Sequence, residues 1–535
     1  MRLFTLFFLC LTLATPPVMA ASEINDEGMA GAKLVAEQYL ALYAPLFAMS
    51  PNSVVKKDGD IKVEKAANYY AVTLPDLTVI NKSPEIAPKE GQAPAPSEEF
   101  KFKLGITSMN IAPTDDPKTW KIAIAMPTPF LVTDKNDQTV FQLDIGKQQM
   151  SGLWNTDLQA IAKAEAQYND LKYKFTGKTA NQSIGGVIKE IKLTSDSTKN
   201  SDDNWRSLAQ IMMNEFAFGL IDDPSKNSVS IGNITIDGVV DGYAPTKIKE
   251  LYSMLNTATQ TQGSNELTSG YFTILRQAAD MWNYNFKIND IVIRKKDKGQ
   301  TEVKTTSLKE ATIKFEMSGL KNPLINQSIS FGYSGLNLPV SASGNEDALP
   351  TTMAFGLSIE NLPIDKLITF GEQAMGASAG AGDTKQKLQG AGMMAMMALP
   401  QTFAEAGTTL RLEETNLANK DYTLAAKGYL KASTQSALGA VAEANMKYAG
   451  LDKLIALIQQ KSASMSEKDK MRAQSMVSQI SFLNKLGEPD ANNPAIKSIN
   501  FKLNQQGQSL INGKTMQEVM MQGQGQGQEE DIAAQ

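Results

Sequence analysis

"TTLRLEETNLANKDYTLAAKGYLKASTQSALGAVAEANMKYAGLDKLIALIQQ", residues 408–460, reads as three strands followed by a helix. In the third strand Ala440, Ala442, Ala444, Met446 and Tyr448 alternate with Val441, Glu443, Asn445 and Lys447. A period of two puts one set on a dry sheet face and the other in water. Turn residues separate the three runs, so the block is expected to be an antiparallel meander. After Gly450 the pattern changes. Asp452-Lys453-Leu454-Ile455 opens a helix, with the Asp favoured by the N-terminal dipole and the Leu-Ile pair supplying a buried stripe.

The same step from strand to helix occurs earlier. A strand at 351–360 runs through "NLP" into Asp365-Lys366-Leu367-Ile368, and "YAPTKIKEL" at 243–251 is a looser example. A reused strand–strand–helix unit follows as an expectation. The spacing between the examples is irregular, which argues against a solenoid.

Towards the N-terminus the chain is mostly β. Strands are expected at 60–65, 68–80, through most of 99–150, at 171–177, 187–194, 228–240, 286–294 and 310–317. Pro75 suggests a bend or an edge. Helices are expected at 28–48, 204–220, 245–255 and 267–283. In 204–220, Leu208, Ile211, Met212, Phe216 and Leu220 fall at helical spacing. A Met-rich stretch at 393–397 lies in a further helical run, and helix 466–486 precedes a last strand. The fold class is therefore α+β: long antiparallel sheets with one apolar face, curved as a meander, with amphipathic covering helices. "SASGNEDALP", 341–350, is the expected lobe boundary. It separates a β-rich lobe with inserted helices, 21–345, from an α+β lobe, 346–520. A polar tail at 521–535 is expected to be disordered.

The bulk composition excludes several chemistries. The chain has 535 residues, a formal net charge of -5 and no histidine. No basic stripe appears, so nucleic acid is not an expected partner. The first twenty residues carry Arg2, an apolar run and Val18-Met19-Ala20 ahead of the expected cleavage point. They read as a secretory signal, with the mature chain starting at Ala21 in the periplasm and no integral span afterwards. Cys10 is the only cysteine and would leave with the signal. Without His or Cys, the Ser-His-Asp and Cys-His triads, a His- or Cys-ligated zinc and a His-ligated haem have no ligands or bases.

The remaining motifs are weak. Gly177-Lys178-Thr179 and Gly513-Lys514-Thr515 lack the earlier glycine of a phosphate loop, and Asn512-Gly513 is a hairpin signal. Ser53–Lys56 and Ser318–Lys321 match S-x-x-K without its companion motifs. The acidic pairs Asp115-Asp116, Asp202-Asp203 and Asp222-Asp223 sit in turn-like contexts. No catalytic residue, cofactor or metal ligand is assigned.

Three stretches, "YYAVTLPDLTV", "YTLAAKGYLKA" and "INFKLNQQGQSLINGKTMQEV", resemble Gram-negative envelope proteins of the YdgA/AsmA-like kind. The nearest resemblance is to an alphaproteobacterial domain-of-unknown-function family. It implies an exported, β-rich protein without established enzymatic activity. Its AsmA-like branch implies a curved sheet with an apolar inner face, linked to lipid traffic or outer-membrane homeostasis. The expected role is thus non-catalytic: an envelope protein that binds lipid or another apolar ligand, with other envelope proteins as candidate partners. Leu410, Leu412, Leu424, Leu430, Met446 and Tyr448 are the expected ligand-facing residues. The alternatives are a carboxylate-based hydrolase of envelope polysaccharide and a pure protein-interaction scaffold.

Overall fold

The computed structural model describes residues 23–43, 53–82, 99–105, 107–176, 183–201, 203–220, 227–248, 250–251, 273–297, 301–339, 348–370, 398–463, 466–515, 517–519 and 521. Of the described residues strands account for 58% and helices for 21%, so the expected antiparallel sheet is present and the protein is mostly β, with fewer helices than the α+β reading expected. Every strand pair described is antiparallel. The chain forms two compact units, Met1–Lys304 and Thr305–Gln535. The expected boundary at 341–350 falls inside the second unit. It joins strands that pair with each other across it, so it links neighbours rather than lobes. The expected signal, the Met-rich stretch 393–397 and the tail beyond 521 lie outside the described residues.

In the first unit, strands β1 (Val54–Asp58) to β10 (Lys147–Asn155) form two arrays. One runs β2 (Lys62–Lys65), β3 (Tyr70–Thr73), β6 (Ser108–Pro113), β7 (Thr119–Ala125), β10. The other runs β1, β4 (Asp76–Lys82), β5 (Glu99–Gly105), β8 (Phe130–Asp134), β9 (Thr139–Asp144). Four strands pass from one array to the other at a corner: β3 into β4, β5 into β6, β7 into β8, and β9 into β10. Pro75 makes the first corner, because it lacks the N–H that a continuous ladder needs. Of the first S-x-x-K match, Ser53 borders and Lys56 lies within strand β1.

Both arrays meet on β11 (Ala160–Phe175). Its first part pairs with β10 and its last residues with β9. The N-terminal helix Asp26–Tyr43 packs against β2, β3, β6 and β11. Its Ala32, Val35, Ala36 and Leu40 are buried with Tyr70, Val72, Ile111, Trp154 and Tyr168. Burial of a side chain the size of Val35 or Leu40 contributes about 1.5–3 kcal/mol by leaving water.

A meander of long strands continues from β11: β12 (Ile184–Ser201), β13 (Asn204–Leu220), β14 (Asn227–Tyr243) and β15 (Met281–Lys296). The expected helix 204–220 is strand β13. The expected helix 267–283 is confined to 273–278 among the described residues, with Met281 and Trp282 opening β15. One line across the meander explains the first correction. Asp170, Glu215 and Asp290 have left-handed backbone, φ 55°, 49° and 54°, and stand at the same level with Lys189 and Gly232 between them. A left-handed residue breaks the strict alternation of a strand. In β13, Ile211 and Met213 before the break and Phe216 after it all join the same core. The core set thus passes from odd to even positions, which hides the period of two, and Leu208 and Met212 of the expected stripe stay outside that core.

The second unit is a meander of β16 (Val303–Ser318), β17 (Leu324–Ser334), β18 (Thr352–Pro363), β19 (Thr409–Ala418), β20 (Thr423–Ala432) and β21 (Ala440–Ala449). It continues through β23 (Ile496–Leu503) to β24 (Ser509–Ile511) and β25 (Lys514–Thr515), and the two-residue β22 (Glu488–Pro489) also pairs with β23. The three-strand reading of 408–448 and the step after Gly450 into helix Leu451–Ser462 match the structure. The other Asp-Lys-Leu-Ile likewise lies in a helical run, 364–370, that follows Pro363. Helix Glu467–Leu486 completes the unit, its N-cap Ser466 accepting the Asp469 amide.

Candidate functional site

The registers of the second unit assign its faces. Phe315 stands opposite Ile329, which stands opposite Leu357; Leu357 meets Leu412, then Gly428, Ala444, Phe501 and Ile511. The neighbouring rows are Met317–Gln327–Ile359–Leu410–Leu430–Ala442 and Ile313–Phe331–Phe355. Tyr333, Met353, Leu417, Leu424 and Tyr448 form a further row on that face. A register irregularity between Leu412 and Thr415 keeps Leu417 on the same side as Leu412.

All six residues expected to face a ligand therefore share one sheet face, but they sit in two environments. Tyr448 is buried, and Leu424 and Met446 pack with it beneath Leu451, Leu454, Ile480, Leu483 and Leu486 of the two C-terminal helices. Burial pushes the Tyr448 phenol above the usual tyrosine range, with nearby Asp452 adding to the shift. Its hydroxyl donates to the Leu483 carbonyl at 3.0 Å. Leu412 is half-buried, while Leu410 and Leu430 are open, with 38% and 44% of their surface exposed. Three residues missed by the sequence reading extend the open part: Ile313 at 49%, Ile329 at 44% and Phe331 at 40%. Phe331 and Phe355 lie with ring centroids 5.2 Å apart. The signal was present in "SISFGYS", where Ile329, Phe331 and Tyr333 alternate with serine and glycine.

The opposite face is polar. Arg411 grips Glu360 with two hydrogen bonds of 3.0 Å, and the Ser358 hydroxyl donates to Glu413 at 2.7 Å. A depression there is lined by Glu316, Ser318, Asn326, Ser328, Ser358, Glu360 and Glu413. The Arg411 hydrogen bonds hold the Glu360 carboxyl below its ordinary range. Among the described residues no group of three or more Asp or Glu side chains is arranged to hold a metal ion.

The first unit carries a second apolar face. Tyr173, Phe216, Ile231, Ile236, Phe286 and Ile288 continue the core across β11–β15, with Tyr284 and Ile293 exposed. The remaining motifs resolve into local structure. Asn512-Gly513 turns the hairpin between β24 and β25, both with positive φ. Asp116 accepts from the Lys118 amide and the Thr119 hydroxyl in the turn before β7, which lowers its carboxyl pKa. Asp203 closes the β12–β13 turn with φ 50°. Gly177-Lys178-Thr179, Asp202 and Asp222-Asp223 lie outside the described residues. No helix among the described residues is long and apolar enough to cross a membrane. The chain matches no family model, no curated protein and no solved structure, so its function rests on its own geometry.

Proposed function

We propose that this is a non-catalytic envelope protein that carries lipid acyl chains on the apolar sheet face of its second unit. The observation that carries the reading is the open group Ile313, Ile329, Phe331, Leu410 and Leu430 on one face. Exposed apolar residues scattered singly need no explanation, whereas a contiguous set on one face does. Removing such side chains from water is favourable by about 25 cal/mol per Å². The polar groups of a sheet interior are already used in its ladders, so this face offers an acyl chain contact without demanding hydrogen bonds. The signal-like leader and the AsmA-like motifs support a periplasmic setting and a role in outer-membrane homeostasis, and the two Asp-Lys-Leu-Ile steps support a reused strand–strand–helix unit.

Native mass spectrometry of protein purified from the periplasmic fraction, before and after lipid extraction, tests this. Bound lipid is expected in the first sample and none in the second. Leu430→Asp should fold and lose that lipid. A wild-type protein carrying no lipid, or a folded Leu430→Asp variant carrying as much as wild type, overturns the reading. N-terminal sequencing of the same material should begin at Ala21.

The polar depression favours a second reading, hydrolysis of an envelope polysaccharide by paired carboxylates. A general acid needs a raised pKa. Glu360 is instead lowered by its bidentate arginine, which weighs against its serving as that acid.

A further inference from the structure

We propose that helices Leu451–Ser462 and Glu467–Leu486 form a hinged lid over the apolar face of the second unit. The inference rests on the lipid-carrying reading of that face and adds its regulation. The face is continuous beneath the helices and beyond them. One row runs from Phe501 and Ala444, at the covered end, through Gly428 and Leu412 to the exposed Ile329. The helices thus cover part of a surface whose remainder is open.

The pair forms one packed layer. The two helices pack on each other, and the Asn484 amide donates to Asp452 at 2.6 Å. The long helix has its own N-cap at Ser466 and a Lys470–Glu467 ion pair, but most helical stability comes from packing, so its amides exchange faster whenever it leaves the sheet. Glycines stand at both attachments. Gly450 enters the pair with left-handed backbone, φ 74°, where a Cβ would overlap the Asp421 carbonyl. Gly487 leaves it in extended conformation. Such junctions absorb φ/ψ change at low cost.

The attachment is uneven. The hydrogen bonds that tie the long helix to the sheet gather at its C-terminal end. Tyr448 reaches the Leu483 carbonyl, Lys497 the Asn484 carbonyl at 3.1 Å, and Asn512 the Leu486 carbonyl at 2.8 Å. Its one buried side chain, Ala473, lies in the N-terminal half, but the residues it gives to the cluster around Tyr448, Ile480, Leu483 and Leu486, are all near the C-terminal end. Met471, Met476 and Phe482 are exposed on it. An end held by Tyr448, Lys497 and Asn512 and packed on the Tyr448 cluster, and a far half outside that cluster, describe a pivot and a tip. Segments with few buried apolar contacts open at the low end of the local stability range.

Hydrogen exchange of the full-length protein, followed by mass spectrometry with and without oleate, tests the lid. Without oleate, the amides of Glu467–Leu486 should exchange at least tenfold faster than those of β21 and β23 beneath them. Tyr448→Phe and Asn512→Ala should each speed the helix further, leaving β16–β19 unchanged. Equal rates for the helix and the strands beneath it in the wild type would overturn the proposal, because the helices would then open only with global unfolding. This readout needs no ligand. A lid without oleate protection would sink the lipid reading alone, and lipid binding with a rigid helix would sink the lid alone.

Discussion

The Tyr173 hydroxyl on β11 donates to the Ala217 carbonyl on β13 at 3.1 Å, reaching across β12 over Gly186. The ring lies nearly parallel to Phe216, 6.0 Å between centroids. Gly186 makes this possible, since a Cβ there would overlap both the carbonyl and the phenol. An aromatic laid over a strand glycine restores the packing that the glycine omits. Gly186→Ala is expected to destabilise the first unit by about 1–3 kcal/mol through overpacking. Tyr173→Phe should cost about 1 kcal/mol, the net worth of one hydrogen bond. Urea denaturation of each variant checks both.

The line of left-handed residues makes a second prediction. Glu215 has φ 49° and a surface ion pair with Lys189. Both partners are more than half exposed, so losing the pair costs little. Glycine adopts this backbone without strain, whereas a β-branched residue does not. Glu215→Gly should change stability by no more than about 1 kcal/mol. Glu215→Val should destabilise by about 1–3 kcal/mol. Equal thermal midpoints for the two variants would refute the account of that line.

The two environments on the apolar face of the second unit separate by mutation. Tyr448→Ala empties a site under the helices and should cost about 3–5 kcal/mol, as for other large aromatics. Leu430→Asp places a carboxylate on an open surface, where the change should stay near 0.5 kcal/mol. Leu424→Asp belongs with the first, because Leu424 packs with Tyr448. Circular dichroism melts of the three proteins order them.

Acid should reveal the Arg411–Glu360 pair. The folded Glu360 pKa lies below its ordinary 4.5. Its contribution is therefore fully present above pH 4.5 and is lost as pH falls through the lower folded value. Between those limits wild type should lose stability relative to Glu360→Gln, by a modest amount because the pair is partly exposed. Denaturant midpoints from pH 6 to pH 3 measure it. Parallel curves for the two proteins would show that the pair contributes nothing.

Local patterns that agree with their surroundings were legible without the fold. The alternation in 440–448, the Asn512-Gly513 turn and the Asp452 helix start each state their conformation within a few residues, and the structure follows them. Strand β13 did not, because its alternation resets at Glu215, and a reset in mid-strand hides the period of two. What identifies β13 as a strand is the pairing of Asn214 with Glu190 and Asn233 on its two neighbours, residues distant in sequence.

The candidate site divides the same way. That Leu410, Leu412, Leu424, Leu430, Met446 and Tyr448 share a face follows from period-two alternation and antiparallel pairing, both local properties. Which of them are covered does not. Leu430 and Tyr448 have the same alternating context, yet one is 44% exposed and the other 2%. The difference is made by Ile480, Leu483 and Leu486, which return to the sheet over Tyr448 and not over Leu430. The sequence by itself determined which side chains look the same way. Only the tertiary structure decided which of them meet water, because burial depends on what distant chain packs above a face and not on the pattern along it.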